Sequence, residues 1–526
     1  RFGKSIIPKD ALESVRIKLG IFQQRYIGSI IILMGTTVYG AVSVVKNFYS
    51  ASVNLENILS MSDLWILSFG VFICIKNGIR VARCSSFLSP NSSNDYKKYK
   101  ITIIFSSVIF WAIALIIAVL LDLFTSLSAY VSNFLIATAC VYTAFFLLFN
   151  QINGKNHFAE KIKLSKKRVI SASVAILLIC AVQVMNSASW WIQPYVSMIP
   201  SVMHPTSKIS YDSTTGVYSI TKNSTDFKVL QLTDIHLGGS AFSTEKDLLA
   251  LKAVYTLIQR TVPDLVIVTG DLVFPVGISS FSLNNYTPIM QFALFMRNIG
   301  IPWAFTYGNH DTEFVATHND KQLNSLFETF SYEKTQNLLY SSVQPKISGR
   351  NNQLIKILNP DGSINQALFL LDSNSYAGGK INNYDYIHDD QVNWYADCVS
   401  SLMFCHIPLR EYRDAYNLYI NKSDEVKYFF GKIGEENNSI CCSQYQSKIF
   451  DKITELKSTK GIFVGHDHYN NISLEYKGVR LTYGMSIDYL VMPEIDKKTE
   501  QRGGTLITLH SDSSFDISQV RLSDLK

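Results

Sequence analysis

Acidic residues are scarce in the first 198 residues, which contain 7 Asp and Glu against 19 Lys and Arg. The rest of the chain reverses this balance, with 35 acidic and 29 basic side chains. Proteins that bind nucleic acid usually present a basic surface to its phosphate backbone. The acidic second part therefore argues against nucleic acid as a partner, and we expect the two parts to be separate domains.

Charge is also nearly missing from five apolar stretches of the first part, where Asp63 is the single exception. These stretches are residues 26–45, 58–75, 101–121, 127–149 and 169–185. A helix needs about 20 apolar residues to cross a bilayer. Residues 1–198 are therefore predicted to form an all-α region of five transmembrane helices. The alternative, buried helices of a soluble protein, is disfavoured because soluble cores rarely repeat such runs.

The loops between these stretches predict their orientation. Residues 1–25, 76–100 and 155–168 each carry six Lys or Arg, whereas the other two loops contain only Lys46 as a basic residue. Short basic loops stay in the cytoplasm. Five crossings then place the N-terminus in the cytoplasm and the residues after 185 on the extracytoplasmic side, either outside the cell or in an organelle lumen.

In the second part, residues 199–226 are predicted to form a juxtamembrane linker with a hairpin, and residues 227–526 are predicted to form a globular domain. Its apolar strands alternate with helices, which is typical of an α/β fold with a parallel sheet. The predicted strands are 227–232, 265–269, 303–306, 367–371, 401–405, 461–464, 479–483 and 505–509, and the predicted helices are 245–260, 288–299, 388–395 and 444–456. The last two strands indicate a second sheet.

Polar residues that can bind metal ions follow five of these strands. They are Asp234 and His236, Asp271, Asn309 with His310 and Asp311, His406, and His466 with His468. Parallel sheets place their sites at the carboxyl ends of the strands, so these side chains should meet. Imidazole and carboxylate ligands suit Zn, Fe or Mn better than Ca. Asp271 follows a glycine, which allows close backbone approach, and is the expected bridge between two metal ions.

In this order, the motifs resemble the calcineurin-like metallophosphoesterases over residues 225–510. Residues 229–234, 405–409 and 465–468 resemble the branch of purple-acid-phosphatase-29-like and yeast Dcr2-like proteins. The resemblance implies a four-layer α/β/β/α sandwich and hydrolysis of a phosphoester. It assigns one metal ion to Asp234, His236, Asp271 and His468, and the other to Asp271, Asn309, His406 and His466.

The same resemblance implies roles for the neighbouring residues. His310 is the expected catalytic histidine at the leaving oxygen, and Asp311 lies nearby to orient it. The two ions would activate a shared water to attack phosphorus. True purple acid phosphatases carry a tyrosine three residues after the bridging aspartate, where this chain has Phe274. The resemblance is therefore to the non-purple members, and the metals remain open among Mn, Zn and Fe.

The expected partners are the lipid bilayer and a phosphoester that is small or lies at the membrane surface. Two other functions stay open. The chain is either a receptor or transporter whose phosphoesterase-like domain is a non-catalytic sensor, or a protein phosphatase, which an extracytoplasmic domain disfavours. The intact set of metal-binding residues favours the enzyme.

Two kinds of covalent modification are expected in the outer domain. A disulfide from Cys441 or Cys442 to Cys398 or Cys405 would pin the segment beside His406. Glycosylation sequons occur at Asn223, Asn285, Asn421, Asn437 and Asn471.

Overall fold

The computed structural model describes residues 22, 25, 192–202, 207–240, 242–275, 280, 282–313, 316–379, 383–395, 400–492, 495 and 499–525. The five predicted membrane helices lie outside these residues. Among the residues described, no helix is both long and apolar enough to cross a membrane. Residues Val184–Lys526 form one compact unit, and the fold below is that of this unit.

The unit contains fourteen strands and seven α-helices among its described residues. The strands are β1 (Lys208–Asp212), β2 (Val217–Thr221), β3 (Phe227–Leu232), β4 (Leu265–Thr269), β5 (Trp303–Thr306), β6 (Asn352–Leu358), β7 (Ile364–Leu371), β8 (Ser401–Phe404), β9 (Val426–Phe430), β10 (Thr459–Val464), β11 (Ser473–Tyr476), β12 (Val479–Tyr483), β13 (Gly503–Leu509) and β14 (Phe515–Arg521). The helices are α1 (Gln193–Met198), α2 (Thr244–Thr261), α3 (Tyr286–Ile299), α4 (Asp320–Thr329), α5 (Asp389–Trp394), α6 (Arg410–Ile420) and α7 (Ile449–Leu456).

The strands form two mixed sheets. The smaller has the order β14-β13-β3-β4-β5, in which β3, β4 and β5 are parallel and β13 and β14 are antiparallel additions. The larger has the order β1-β2-β6-β7-β8-β10-β12-β11-β9, and its centre, β7-β8-β10-β12, is parallel. Each sheet thus contains adjacent parallel strands whose carboxyl ends can carry a site.

Apolar side chains from both sheets form a shared core. Val229 and Ile267 of the small sheet join Leu368, Phe404 and other residues of the large sheet in one buried cluster. Helices α6 and α7 cover the other face of the large sheet, and α2 packs on β3 and β13 of the small one. Burial on both faces explains why β4 is buried at all five positions, since a strand with two covered faces is apolar throughout.

Residues 192–202 pack on the outside of α3. The carbonyl of Val196 accepts a 2.8 Å bond from the Asn298 side chain, and the Val202 N–H donates to Ile299 at 3.0 Å. The Tyr195 and Phe295 rings stack with centroids 6.4 Å apart. This segment is therefore part of the folded unit.

Most predicted elements are present, and β3, β4, β5 and β12 have the predicted bounds. The hairpin of the linker is formed by β1 and β2, which pair antiparallel. One helix boundary was wrong. The helix predicted over 444–456 begins only at Ile449, because the Ser447 hydroxyl donates to the Ile387 carbonyl and accepts from the Ile449 N–H. The expected second sheet is present, but the two late strands do not form it together, since β12 pairs with β10 and β13 pairs with β3.

Candidate metal centre

The predicted metal-binding residues come from the carboxyl ends of parallel strands in both sheets. In the small sheet, Asp234 and His236 follow β3, Asp271 follows β4 and Asn309 follows β5. In the large sheet, His406 follows β8, and His466 and His468 follow β10. Because the two sheets pack face to face, these ends meet at one edge of the sandwich.

The backbone of the site is held in unusual conformations. Asp234, His236, Asp271 and His466 have φ values of 51°, 52°, 50° and 79°, in the left-handed region that non-glycine residues rarely adopt. Hydrogen bonds between neighbouring loops hold them there, as the His236 N–H donates to the Asp271 carbonyl at 3.0 Å. Gly308 lies so close to Asp271 that any Cβ would collide with its carboxylate. Conformational strain of this kind is concentrated at functional sites.

Asp234, His236 and His468 form the first group of ligand atoms. Nε2 of His236 lies 3.1 Å from Nε2 of His468 and 3.8 Å from Oδ1 of Asp234. Nε2 of His468 lies 3.6 Å from the same Asp234 oxygen. All three residues are buried.

Asp271, His406 and His466 form the second group, and Asn309 joins it. Nε2 of His406 lies 3.1 Å from Oδ2 of Asp271, 3.2 Å from Oδ1 of Asn309 and 3.3 Å from Nδ1 of His466. Oδ2 of Asp271 is also 3.8 Å from Nε2 of His236 in the first group. Asp271 therefore lies between the two groups, as expected of a bridging carboxylate.

The hydrogen bonds of the histidines show that these groups suit cations. Nδ1 of His468 lies 2.8 Å from the Asp488 carboxylate, and Nδ1 of His406 lies 2.9 Å from the Thr269 carbonyl. Both partners only accept hydrogen bonds, so each Nδ1 carries a proton and Nε2 is the nitrogen of each ring that is left to bind a metal ion. Imidazole nitrogens and carboxylate oxygens thus converge in a buried space. Bound metal ions would compensate the negative charge of the carboxylates.

Electrostatics agree with this interpretation. Burial raises the pKa of Asp234, so two bare carboxylates are costly here. Burial lowers the pKa of His406, but the Asp271 carboxylate outweighs it and raises that pKa to about 9, so this ring has to release a proton when it binds a metal ion. Burial also lowers the pKa of His236, to about 3, which favours the neutral ring that a metal ion requires.

His310 lies beside the two groups, but Asp311 does not contact its ring. The Asp311 carboxylate accepts the backbone N–H groups of Gly308, Asp271 and Val273 at 2.8, 3.0 and 3.1 Å. It therefore stabilises the loops that hold Asp271. Glu313 makes the contact expected of Asp311, with Oε1 2.8 Å from Nδ1 of His310.

Three residues in or next to the site were missed in the sequence: Glu313, Tyr376 and Asp488. Glu313 is three residues after His310, a spacing that could have drawn attention to it. Tyr376 follows β7, and its hydroxyl contacts both Asn309 and Glu313 at 2.9 Å. Asp488 follows β12 and carries no recognisable motif.

Aromatic rings line the surroundings of the site. Phe274 packs edge-on against His310 and His236, with centroid separations of 4.9 and 5.6 Å. Tyr384 lies edge-on to His466 at 4.4 Å. At the position where purple acid phosphatases carry their tyrosine, this chain thus places an apolar ring beside the first group.

The expected modifications fit the structure only in part. Cys405, Cys441 and Cys442 are free thiols, so the predicted bridge to Cys405 is not formed, and Cys398 lies outside the described residues. Burial raises the pKa of Cys405 and of Cys441 to about 12, which keeps both protonated.

The five sequons differ in accessibility. Asn223, Asn421 and Asn437 are exposed, whereas Asn285 and Asn471 are buried. The Asn285 amide donates to the carbonyls of Asp311 and His318. Glycosylation of Asn285 would break these bonds, so this position is not an acceptor in the folded domain.

Comparison with known proteins agrees with the site. Residues 227–470 match the family model of the calcineurin-like phosphoesterases. Among curated proteins, the chain is 29% identical over 304 residues to "Probable inactive purple acid phosphatase 14" of Arabidopsis thaliana, covering 50% of this chain and 71% of that protein. It is 27% identical over 271 residues to "Phosphatase DCR2" of Saccharomyces cerevisiae, covering 47% of this chain and 45% of that protein.

A solved structure, a dimetal phosphatase from Danio rerio, aligns with 56% of this chain and 96% of its own, at 11% identity and a TM-score of 0.37. The family match and the paired ligand groups indicate the class: residues 227–470 are similar to the calcineurin-like phosphoesterases, and their two buried ligand groups are consistent with a dinuclear metal site. The chain is accordingly a metallophosphoesterase, distantly similar to plant purple-acid-phosphatase-like proteins and to yeast DCR2.

Proposed function

We propose that this chain is a membrane-anchored phosphoesterase that hydrolyses a phosphomonoester or phosphodiester with two metal ions. The observation that supports this proposal most directly is the position of Asp271. Its Oδ2 lies 3.1 Å from Nε2 of His406 in one ligand group and 3.8 Å from Nε2 of His236 in the other. One carboxylate shared by two groups of nitrogen and oxygen ligands is the arrangement that two-metal hydrolases use.

The geometry supports the assignment of the residues that would hold the ions. One site comprises Asp234, His236, Asp271 and His468, and the other comprises Asp271, Asn309, His406 and His466. When bound, the ions would supply Lewis acidity to the phosphoryl oxygens and lower the pKa of the attacking water. The mixed imidazole and carboxylate set suits Mn, Zn or Fe.

His310 is the residue that we assign to the leaving group. Its Nδ1 is held by Glu313, and its side chain is 25% exposed, so a substrate can reach the ring. In the reaction, an oxygen from water bonds to phosphorus, the bond from phosphorus to the leaving oxygen breaks, and that oxygen takes up the proton donated by His310. The proton that the attacking water loses passes to the solvent. The products are an alcohol and a phosphate from a monoester, or an alcohol and a phosphomonoester from a diester.

The location of the reaction is the second element of the proposal. Five apolar stretches and the basic loops 1–25, 76–100 and 155–168 support a multi-pass anchor with its N-terminus in the cytoplasm. The catalytic domain then lies outside the cell or in an organelle lumen. Residues 192–202 are packed on the domain, so only a short stretch separates it from the last apolar run. We therefore propose a substrate that is small or lies at the membrane surface.

The function is tested with the full-length chain in detergent and in liposomes. Metal content is measured together with hydrolysis of aryl phosphomonoesters, aryl phosphodiesters and a phospholipid, with Asp271→Asn as the inactive control. Activity that depends on two bound ions supports the enzyme. A chain that binds two ions but hydrolyses none of these esters would instead support the non-catalytic sensor, a possibility raised by the words "probable inactive" in the name of the Arabidopsis relative.

The orientation has its own test. Protease is added to sealed, right-side-out cells or microsomes, and fragments are identified by mass spectrometry. Cleavage within residues 207–525 from the extracytoplasmic face agrees with the proposal. Cleavage of this region only when the cytoplasmic face is exposed would overturn the localisation but leave the enzymatic assignment intact.

A further inference from the structure

Tyr376 connects a metal-binding residue to the histidine proposed to act on the leaving group. Its hydroxyl lies 2.9 Å from Nδ2 of Asn309 and 2.9 Å from Oε1 of Glu313. The same Glu313 oxygen lies 2.8 Å from Nδ1 of His310. Asn309 and His310 are neighbours in the sequence, and a residue from the loop after β7 in the other sheet thus links both side chains.

The directions of these hydrogen bonds follow from the chemistry of the groups. The Asn309 amide nitrogen can only donate, so the Tyr376 oxygen accepts from it and donates its own proton to Glu313. The Asn309 amide oxygen is thereby turned towards His406, at 3.2 Å, where a metal ion would bind. Glu313 accepts the Nδ1 proton of His310, which leaves Nε2 of that ring for the reaction.

Arg350 holds the two loops of this network together. Its guanidinium donates to Asp372 in the Tyr376 loop at 2.7 and 2.8 Å, and to the Gly308 carbonyl and the Thr312 hydroxyl in the His310 loop at 2.8 Å. Arg350 is also stacked on Tyr307, 4.7 Å from the ring centroid. A paired, largely buried guanidinium of this kind fixes geometry because its donors lie in a rigid fork.

We propose that Glu313 and Tyr376 are positioning residues: Glu313 orients the His310 ring towards the leaving oxygen, and Tyr376 orients both Glu313 and the Asn309 amide. This proposal rests on the proposed function and deepens it. Glu313 acts on the chemical step through His310, whereas Tyr376 acts on the chemical step and also on metal binding through Asn309.

The role of Glu313 is tested by the dependence of rate on the leaving group. Phenyl phosphate needs a proton on its leaving oxygen, whereas 2,4-dinitrophenyl phosphate has a leaving group stable without one. Glu313→Ala should lower kcat for the phenyl ester by roughly 10²-fold, with a much smaller loss for the dinitrophenyl ester and little change in KM. Glu313→Gln retains an oxygen that accepts from Nδ1, so it should restore most of the phenyl ester rate.

The matched control is Glu411→Gln on α6, which replaces a buried carboxylate bonded to Gln446 outside the site. It should leave both rates unchanged. Equal losses for the two esters in Glu313→Ala would overturn the role of Glu313, because a merely structural defect does not distinguish leaving groups. Where the wild-type chain prefers diesters, the same aryl groups are presented as diesters.

The role of Tyr376 is tested by metal affinity, measured by chelator competition with Zn or Mn on the full-length chain. Tyr376→Phe keeps the ring but frees the Asn309 amide, so one of the two ions should bind roughly tenfold more weakly. The control is Tyr211→Phe on β1, which removes a hydroxyl that is bonded to Ser341. This variant should bind both ions as the wild type does.

Unchanged affinity for both ions in Tyr376→Phe would overturn the role of Tyr376. This measurement needs no substrate. If the wild-type chain hydrolyses no ester, the proposed function fails, while the affinity difference still decides whether Tyr376 positions Asn309. If Glu313→Ala does not fold, as judged by circular dichroism, Tyr376→Phe also serves for the leaving-group comparison, since it is nearly isosteric and removes the donor that orients Glu313.

Discussion

Nδ1 of His468 lies 2.8 Å from Oδ2 of Asp488 in the interior of the domain. The Asp488 carboxylate also accepts the backbone N–H groups of Leu490, Val491 and Met492 at 2.7, 2.8 and 2.9 Å. These bonds, with His468 foremost, outweigh burial and hold the pKa of Asp488 below its usual range. A carboxylate placed behind a metal-binding histidine fixes the tautomer and orientation of that ring.

Asp488→Ala should therefore weaken binding of one ion, that of the Asp234, His236 and His468 group, by roughly tenfold to hundredfold. Chelator competition on the full-length chain measures this affinity. Asp361→Ala is the control, because that exposed carboxylate bonds only within its own turn, to Ser363. Equal affinities in the wild type and Asp488→Ala would show that Asp488 does not support the site.

Replacing the shared carboxylate should affect both ions. In Asp271→Asn, an amide without charge replaces the oxygen that lies 3.1 Å from His406 and 3.8 Å from His236. We expect hydrolysis to be abolished and the content of both ions to fall, as measured by elemental analysis. His310→Ala should lose roughly 10²–10⁴-fold in kcat but keep both ions, since His310 is in neither ligand group. A full complement of two ions in Asp271→Asn would rule out its bridging position.

The sequence predicted the metal-binding residues because each follows an apolar strand directly. β4, for example, is a run of five buried residues, and Gly270 and Asp271 follow it directly. Asp488 could not be found in this way. Its contact with His468 depends on the placement of β12 beside β10, and pairing between strands in a sheet is not encoded in the local pattern of either strand.

The same limit explains the misplaced late strands and the role given to Asp311. Asp311 was expected to orient His310 because it is the next residue, but the folded loop turns Asp311 towards backbone N–H groups and Glu313 towards the ring. A local signal was overlooked in one case. Helix α4 begins with a capping box between Asn319 and Gln322, a spacing that is visible in the sequence.

The apolar residue at position 274 predicts the optical properties of an iron-loaded sample. The Phe274 ring packs against His236 and His310 and has no oxygen with which to bind a metal ion. Ferric iron bound in the first ligand group should therefore give no tyrosinate charge-transfer band in the visible spectrum. Iron content is measured in the same sample, so that a colourless sample is known to contain the ion. A purple preparation with bound iron would contradict this prediction.

His318 should make the stability of the domain depend on pH. Its ring is buried, packs on Tyr286 with centroids 4.5 Å apart, and has Nδ1 2.9 Å from the Thr317 hydroxyl. Burial lowers its pKa from 6.5 to about 4. The folded state thus keeps the ring neutral over a pH range in which the unfolded chain binds a proton.

The sign follows from this difference. Stability from the neutral ring is fully present above pH 6.5, falls as the pH drops from there towards 4, and changes no further below that value. The loss amounts to at most about 3 kcal/mol for a shift of this size. The glutamine of the His318→Gln variant cannot bind a proton in this range. This variant should therefore show no loss of stability from position 318.

Thermal unfolding of the full-length chain at several pH values between neutral and 4.5 measures this effect. The advantage of the wild type over His318→Gln in unfolding temperature should shrink as the pH falls, since only the wild type loses stability through this residue. The control is His510→Gln, which removes an exposed histidine whose pKa is raised by hydrogen bonds to Asp226 and Asp516. The difference in unfolding temperature between the wild type and His510→Gln should not shrink as the pH falls, because a raised histidine pKa stabilises the folded state at low pH. A constant difference between the wild type and His318→Gln across the range would mean that His318 is protonated equally in the folded and unfolded chains.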